Sequence, residues 1–228
     1  MEATFITLKF DRALKIGEAN LLRGAVASAY PELILLHNHD GDKYRYSAPL
    51  IQYKVIDGNG IIIGIESGSE VLKQIAFDQE EYRFGEDSLQ ALEREVKVRD
   101  VTFGISQDDI KYRFLNPWMA LNQDNYHLYV KADSSKQKLM LETILKGNLI
   151  SLSKGLSYTV PAKIDVKSLT CSAVPIKLKG TPMLGFYGRF SVNFIIPELW
   201  GIGKSASRGF GTVKRDASNL SNLIGGLL

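Results

Sequence analysis

The sequence predicts an α+β protein built from two tandem units, each with the element order βαββαβ. Two observations predict this class. Apolar side chains change between strand-like and helix-like spacing in that order along the first half, and a variant of the order follows in the second half. The chain has 228 residues, which is enough for two small domains with their own cores.

The first unit begins with a strand, a helix and a hairpin. Residues 3–10 combine β-branched and aromatic side chains and predict a strand. Residues 18–30 have apolar side chains at helical spacing, and Pro31 marks the end of that helix. Residues 44–56 and 60–65 are β-rich runs around the glycine-containing turn 57–60, so we expect a hairpin.

A second helix and a final strand complete the first unit. Ser67 and Glu70 have the spacing of a capping box and predict the start of a short helix. Residues 96–106 predict a strand. The acidic segment between them is ambiguous, and a short helix over residues 87–92 is one interpretation of it. This order is that of the ferredoxin-like fold, which is also the order of RRM domains.

The second unit repeats much of this order. Residues 110–120 predict a strand and residues 134–153 a long helix, followed by strands at 162–178 and 183–196. We therefore expect an N-terminal ferredoxin-like domain at residues 1–107 and a C-terminal one at residues 108–228. Two such domains that face each other would form a wide, open cleft, unlike the enclosed pockets that hold small molecules.

The charge is divided unevenly between these two parts. Residues 1–107 hold 12 Lys and Arg against 17 Asp and Glu, a net charge of −5. Residues 108–228 hold 16 against 8, a net charge of +8. A basic second half is typical of a protein that neutralises nucleic-acid phosphates.

Composition restricts the cellular setting. No signal peptide follows Met1, and no apolar run is long enough to span a bilayer. The lone Cys171 has no partner for an internal disulfide or a thiolate metal cluster. We therefore expect a cytoplasmic protein that does not bind membranes.

A glycine-rich loop lies near the C-terminus and indicates an anionic partner. Residues 201–211 hold four glycines, two cations and two serines, which favours contact with phosphate. The spacing around Lys204 is not that of a Walker loop, because Glu198 stands where its first glycine would be. A dinucleotide fingerprint would have to open a βαβ unit, and too few residues follow. No cofactor is expected.

A pair of histidines indicates acid–base chemistry. Two of the three histidines, His37 and His39, follow the first helix. With a reference pKa of about 6.5, a histidine can accept or donate a proton at neutral pH, as cleavage of RNA by its own 2′-OH requires. Tyr46 follows on a predicted strand, where its side chain can stack a base or hydrogen-bond the phosphate. A metal site of His37, His39 and Asp40 is an alternative, but His127 stands alone and no further ligand group is evident, so no metal is expected.

These motifs resemble those of the CRISPR repeat-RNA processing endoribonucleases of the RAMP superfamily, in the subtype with a paired-histidine motif. The matching segments are Leu22-Arg23-Gly24, His37-Asn38-His39, Tyr44-Arg45-Tyr46, Pro49 to Lys54, and Gly201 to Gly211 extended by Thr212-Val213. The glycine-rich loop is the hallmark of the superfamily.

The resemblance implies a metal-independent endoribonuclease that binds CRISPR precursor RNA and cleaves it within the repeat. It implies attack of the 2′-OH on the phosphate, which leaves 2′,3′-cyclic phosphate and 5′-OH ends. His37 and His39 are then the acid and base, in an order left open, and Tyr46 is their helper. It also leaves open whether a lysine assists, such as Lys43, Lys54 or one from the second half.

Nine residues are the expected RNA contacts, with the last the weakest candidate. They are Gly201, Gly203, Lys204, Ser205, Arg208, Gly209, Gly211, Lys214 and Lys154. The expected partner is a single-stranded or hairpin repeat RNA, and other CRISPR effector subunits or a second copy of the chain are further candidates.

Two other functions fit the sequence. The first is a catalytically inactive RNA-binding subunit of a CRISPR ribonucleoprotein, which needs the fold and the loop but not the histidine pair. The second is a metal-dependent hydrolase that uses His37, His39 and Asp40.

Overall fold

Two larger antiparallel sheets, a two-stranded sheet and helices form the architecture, in a computed structural model that describes residues 1–37, 48–178 and 180–216, and the backbone of residues 39, 40, 43 and 44. The first part of the chain contains β1 (Glu2–Phe10), a 3-10 turn (Ile16–Glu18), α1 (Ala19–Ala29), α2 (Ile34–His37), β2 (His39–Asp40), β3 (Lys43–Tyr44), β4 (Ile51–Ile56), β5 (Asn59–Ile65), α3 (Ser67–Ile75), β6 (Glu81–Phe84) and β7 (Asp87–Asp100). The second part contains β8 (Gly104–Phe114), α4 (Gln123–Lys131), α5 (Ser134–Gly155), β9 (Val166–Leu178), β10 (Thr181–Ile195) and β11 (Val213–Arg215).

The first sheet has the ferredoxin-like strand order with one addition. Its order is β4-β5-β1-β7-β6, and β1 pairs antiparallel with both β5 and β7. The ambiguous acidic segment forms the hairpin of β6 and β7, so the short helix over residues 87–92 is wrong. Tyr82, Phe84 and Leu89 point inward from this hairpin, and the first two pack against Phe10. Burial of alternate residues therefore selects the strand conformation.

Two smaller expectations also differ from the structure. The helix α3 begins at Ser67 with Glu66 as its N-cap residue, and no side chain caps it, so the capping box is wrong. The expected strand at 96–106 ends at Asp100 and resumes as β8 at Gly104. Residues 101–103 connect the two sheets, and we propose that the domains divide there.

Both faces of β5 are buried. Ile61, Ile63 and Ile65 pack into the core shared with the second part of the chain, whereas Ile62 packs with α1 and α3 on the opposite face. Burial on both faces explains why the sequence of β5 is a continuous apolar run instead of an alternating one. The two domains therefore share a core and are not joined by a free linker.

The second sheet has the same ferredoxin-like order, β11-β8-β10-β9, but one of its helices is missing. The helix expected before the last strand is replaced by turn-rich residues 196–212, which include the glycine-rich loop. The helix α4, which the sequence did not predict, has no buried residue, so its apolar side chains give no core-facing stripe. In the part of the chain that the structure describes, no helix is long and apolar enough to cross a bilayer.

Candidate nucleic-acid interface and active site

A cleft of about 730 Å³ lies between the two domains, and it is named here the interdomain cleft. One wall is α1, the second is the glycine-rich loop, and the third is the tip of the β9–β10 hairpin. The polar side chains that line it are Asn20, Arg23, Ser28, His37, Lys177 and Arg208. The cleft is open to solvent, which suits a strand better than an enclosed small molecule.

His37 lies at one end of this cleft, where α2 ends. Its ring is half-buried, and Nε2 lies 3.4 Å from the carbonyl oxygen of Tyr30 at the end of α1. The backbone carbonyl of His37 accepts a hydrogen bond from Nη2 of Arg23. Two contacts from α1 thus hold the imidazole and its backbone at the cleft wall.

Positive charge dominates the cleft. Arg23, Lys177 and Arg208 line it, and none of the described lining residues is acidic. Burial lowers the pKa of the Arg23 guanidinium, and the nearby charge of Arg208 lowers that pKa further. Two guanidinium groups held near each other without a carboxylate repel, and an anion between them would relieve that repulsion. The cleft is therefore suited to a phosphate.

Arg23 and Lys177 are site residues that the sequence interpretation missed. A signal for Arg23 exists, since Asn20, Arg23, Gly24 and Ser28 form one polar stripe on α1 at helical spacing. The opposite face of α1 carries Leu22 and Val26, which pack in the core. Lys177 has no comparable signal, because only the length of the β9–β10 hairpin brings it to the cleft.

Most of the glycine-rich loop is buried against the protein. The N–H groups of Gly201, Lys204 and Gly211 donate to the side chain of Gln52 (2.7 Å), to Met119 O (3.2 Å) and to Pro117 O (2.9 Å), respectively. These three donors are already used within the protein, so they do not form a cradle for an RNA phosphate.

The glycines allow this close packing. A Cβ at Gly211 would lie 2.0 Å from Ile202 O, and one at Gly209 would lie 2.7 Å from the Cβ of Ala19. Both residues also have positive φ, 62° and 90°, which disfavours any side chain. At these two positions glycine is needed to fold the loop onto α1 and onto itself. Contact of these glycines with RNA stays a prediction.

The other predicted RNA contacts lie at different places. Gly201, Gly203 and Lys204 line a smaller groove beside α5. Ser205, the next residue, is half-buried. Lys214 is exposed on β11, and Lys154 lies near the C-terminal end of α5 in a groove with Lys146 and Lys163. Of the nine predicted residues, Arg208 and Gly209 line the cleft that contains His37.

Two of the three predicted catalytic side chains lie outside the described part of the structure. Tyr46 lies outside the described residues, and for His39 the structure describes only the backbone, which pairs with Tyr44. No group of three metal-ligating side chains occurs among those described, but His39 and Asp40 are not among them. Lys54, an open candidate for assisting catalysis, is fully buried and does not line the cleft.

Solved structures share the fold of this chain. A structure described as "Crystal structure of Cas6b" is 37% identical, covers 95% of this chain and 100% of its own, and superposes with a TM-score of 0.87. A second, described as a CRISPR RNA processing endoribonuclease Cas6b, is 34% identical with the same coverage and a TM-score of 0.75. A Cas6-related protein of Pyrococcus furiosus, 11% identical with a TM-score of 0.56, covers 96% of this chain and 99% of its own and shares the fold.

Sequence comparisons lead to the same family. An uncharacterized protein of Methanocaldococcus jannaschii is 45% identical over 119 residues, which make up 52% of this chain and 81% of that protein. Residues 1–102 match the Cas6b N-terminal domain, and residues 104–216 match the Cas6b C-terminal domain. The resemblance seen in the sequence and the tandem ferredoxin-like fold are confirmed, and the chain belongs to the Cas6b family.

Proposed function

We propose that the protein is an endoribonuclease that binds CRISPR precursor RNA and cleaves it within the repeat. The observation that carries this proposal is His37 in an open cleft with Arg23, Lys177 and Arg208. A similar protein, 34% identical, is described as a CRISPR RNA processing endoribonuclease. An imidazole can transfer the protons of phosphodiester transesterification, and neighbouring cations stabilise the charge that develops on the phosphate.

The proposed reaction uses the RNA's own 2′-OH as the nucleophile. A base removes the 2′ proton, the 2′ oxygen bonds to phosphorus, and the bond from phosphorus to the 5′ oxygen breaks. An acid protonates the departing 5′ oxygen, which leaves a 2′,3′-cyclic phosphate and a 5′-OH. His37 and His39 are the proposed acid and base, with Tyr46 as their helper.

The cations would stabilise the reacting phosphate. Negative charge increases on its non-bridging oxygens as the fifth bond forms, and fixed positive groups stabilise that charge more than the starting phosphate. Arg23 and Arg208 line the same cleft, and the charge of Arg208 already acts on the Arg23 guanidinium, so we propose that both contact the reacting phosphate. The chemistry needs no metal, and we propose that it proceeds without one.

The test is incubation of the protein with a labelled RNA that carries the CRISPR repeat of its own genome, in excess chelator. We expect one cut per repeat and a product whose 3′ end resists ligation until the cyclic phosphate is removed. A repeat RNA with 2′-O-methyl groups should bind and stay intact, because its nucleophile is blocked. Cleavage that chelator abolishes and added metal restores would support the metal-dependent hydrolase instead.

Binding without cleavage of any repeat form, single-stranded or hairpin, would support the alternative of a catalytically inactive RNA-binding subunit. In that case the protein would act with other CRISPR effector subunits. Gel filtration with and without RNA would also measure whether the chain forms the proposed homodimer.

The salt dependence of RNA binding tests whether Arg208 contacts a phosphate. Arg208→Ala should weaken binding of the 2′-O-methyl repeat RNA and reduce the slope of log Kd against log salt by about one unit, since one phosphate contact is lost. Lys97→Ala is the control, because Lys97 is exposed on β7 next to Glu95 and far from the cleft lining. An unchanged slope for Arg208→Ala would remove Arg208 from the RNA path.

A further inference from the structure

A fully buried lysine lies between the first sheet and the glycine-rich loop. Nζ of Lys54 donates to Oε1 of Gln52 (2.6 Å) and to the carbonyl oxygen of Ala206 (2.9 Å). Its relative exposure is 0%, and burial lowers its pKa well below the usual value. Burial of this amine against neutral oxygens costs hydration free energy, and its two hydrogen bonds join β4 to the glycine-rich loop.

Gln52 holds the other end of the same loop. Its side chain accepts from the N–H of Gly201 (2.7 Å) and donates to the carbonyl oxygen of the same residue (3.2 Å). Gln52 and Lys54 share one face of β4 because they are two residues apart in a strand. Together they fasten the loop at Gly201 and at Ala206.

The backbone of β4 continues this attachment toward the cleft. The N–H of Tyr53 donates to the carbonyl oxygen of Ser207 (3.3 Å), and Tyr53 forms a parallel bridge with Arg208. Residues 207 and 208 therefore extend along the edge of the first sheet. Arg208 enters the interdomain cleft directly from this attachment.

Tyr53 also contacts the segment that carries His37. Its side chain is fully buried on the other face of β4, and its hydroxyl donates to the carbonyl oxygen of Leu36 (3.3 Å). Leu36 is the residue before His37 in α2. Three consecutive residues of one strand thus bond to the segment that carries His37 and to the loop that carries Arg208.

We propose that Gln52, Tyr53 and Lys54 are positioning residues that fix the distance between His37 and Arg208 across the interdomain cleft. Tyr53 acts through Leu36, and the other two act through the loop. None of the three lines the cleft. The catalytic consequence of this inference rests on the proposed function. The effect of Gln52 and Lys54 on Arg208 can be measured by RNA binding alone.

The decisive experiment is a double-mutant cycle between Lys54→Met and Arg208→Ala. Both single-turnover cleavage and the Kd for 2′-O-methyl repeat RNA are measured, at a temperature where thermal unfolding shows every variant to be folded. We expect each single variant to cleave about tenfold more slowly, and the double variant to be no slower than Arg208→Ala, because Lys54 acts through Arg208.

A matched cycle with Lys177→Ala is the control. Lys177 lines the same cleft but belongs to β9, which the residues of β4 do not hold. Its effect should therefore combine multiplicatively with that of Lys54→Met. Equal coupling in both cycles, or wild-type cleavage and binding by Lys54→Met, would overturn the proposal.

Tyr53→Phe tests the hydrogen bond from Tyr53 to Leu36 with a nearly isosteric change. It removes only the hydroxyl, so we expect cleavage to fall about fivefold while the Kd for 2′-O-methyl repeat RNA stays within twofold. A general loss of stability would change both quantities or neither, and either result would contradict the role of Tyr53. If the wild-type protein binds the RNA but does not cleave it, the proposed function fails, and the binding cycle still decides whether Lys54 positions Arg208.

Discussion

Replacing both histidines, as His37→Ala with His39→Ala, is expected to slow cleavage of repeat RNA by a factor of about 10²–10⁴, the usual contribution of general acid–base groups. RNA affinity should change little, because the three cations of the cleft remain. Single-turnover rates with saturating protein, together with the Kd for 2′-O-methyl repeat RNA, measure the two effects separately.

His127→Ala is the matched control for this change. His127 lies on α4, which contributes nothing to the interdomain cleft, so this variant should cleave like the parent protein. The single variants would then show which histidine contributes more. A double variant that cleaves as fast as the parent would remove both residues from the mechanism.

Arg23→Ala is expected to slow cleavage by about 10²-fold, the scale found when one donor to a developing anion is removed. Arg23 has two tasks in this structure, since it lines the cleft and donates to the carbonyl of His37. Its loss removes a positive group and also frees the backbone at His37. The Kd for 2′-O-methyl repeat RNA should rise as well, which distinguishes this variant from the histidine pair.

Arg23→Lys separates the two tasks. Lysine keeps the charge but lacks the planar group that can bond to His37 and to a phosphate at the same time, so we expect an intermediate rate. Arg83→Ala is the control, because Arg83 is exposed on β6 and does not line the cleft. If Arg23→Ala cleaves and binds RNA like Arg83→Ala, then Arg23 has no part in the site.

Apolar patterns in the sequence predict some elements of the fold and miss others. Residues 61–65 and the long helix α5 were predicted, because a run of isoleucines and a repeating leucine stripe each specify one conformation. The hairpin of β6 and β7 was not predicted, since its second strand carries charged residues on most positions and only a few inward residues. Its conformation is decided by contacts with Phe10, which is far away in sequence.

The glycine-rich loop illustrates a different gap between sequence and structure. Its glycines are evident in the sequence, where their spacing beside two cations indicates a cradle for phosphate. In the structure, Gly209 and Gly211 allow close packing, and the charge that faces the cleft comes from Arg208. The same composition fits both roles, because glycine at positive φ serves a backbone that approaches a ligand as well as one that approaches its own protein.

By itself, the sequence determined the tandem α+β class, the family and the paired histidines as candidate catalytic groups. These follow from local spacing and from motifs, which are properties of neighbouring residues. Only the tertiary structure decided that Arg23, Lys177 and Arg208 line one cleft with His37, and that β4 bonds to the segments that carry His37 and Arg208. These residues belong to four separate elements, and packing of a core shared by both domains brings them together; no local pattern specifies such a contact.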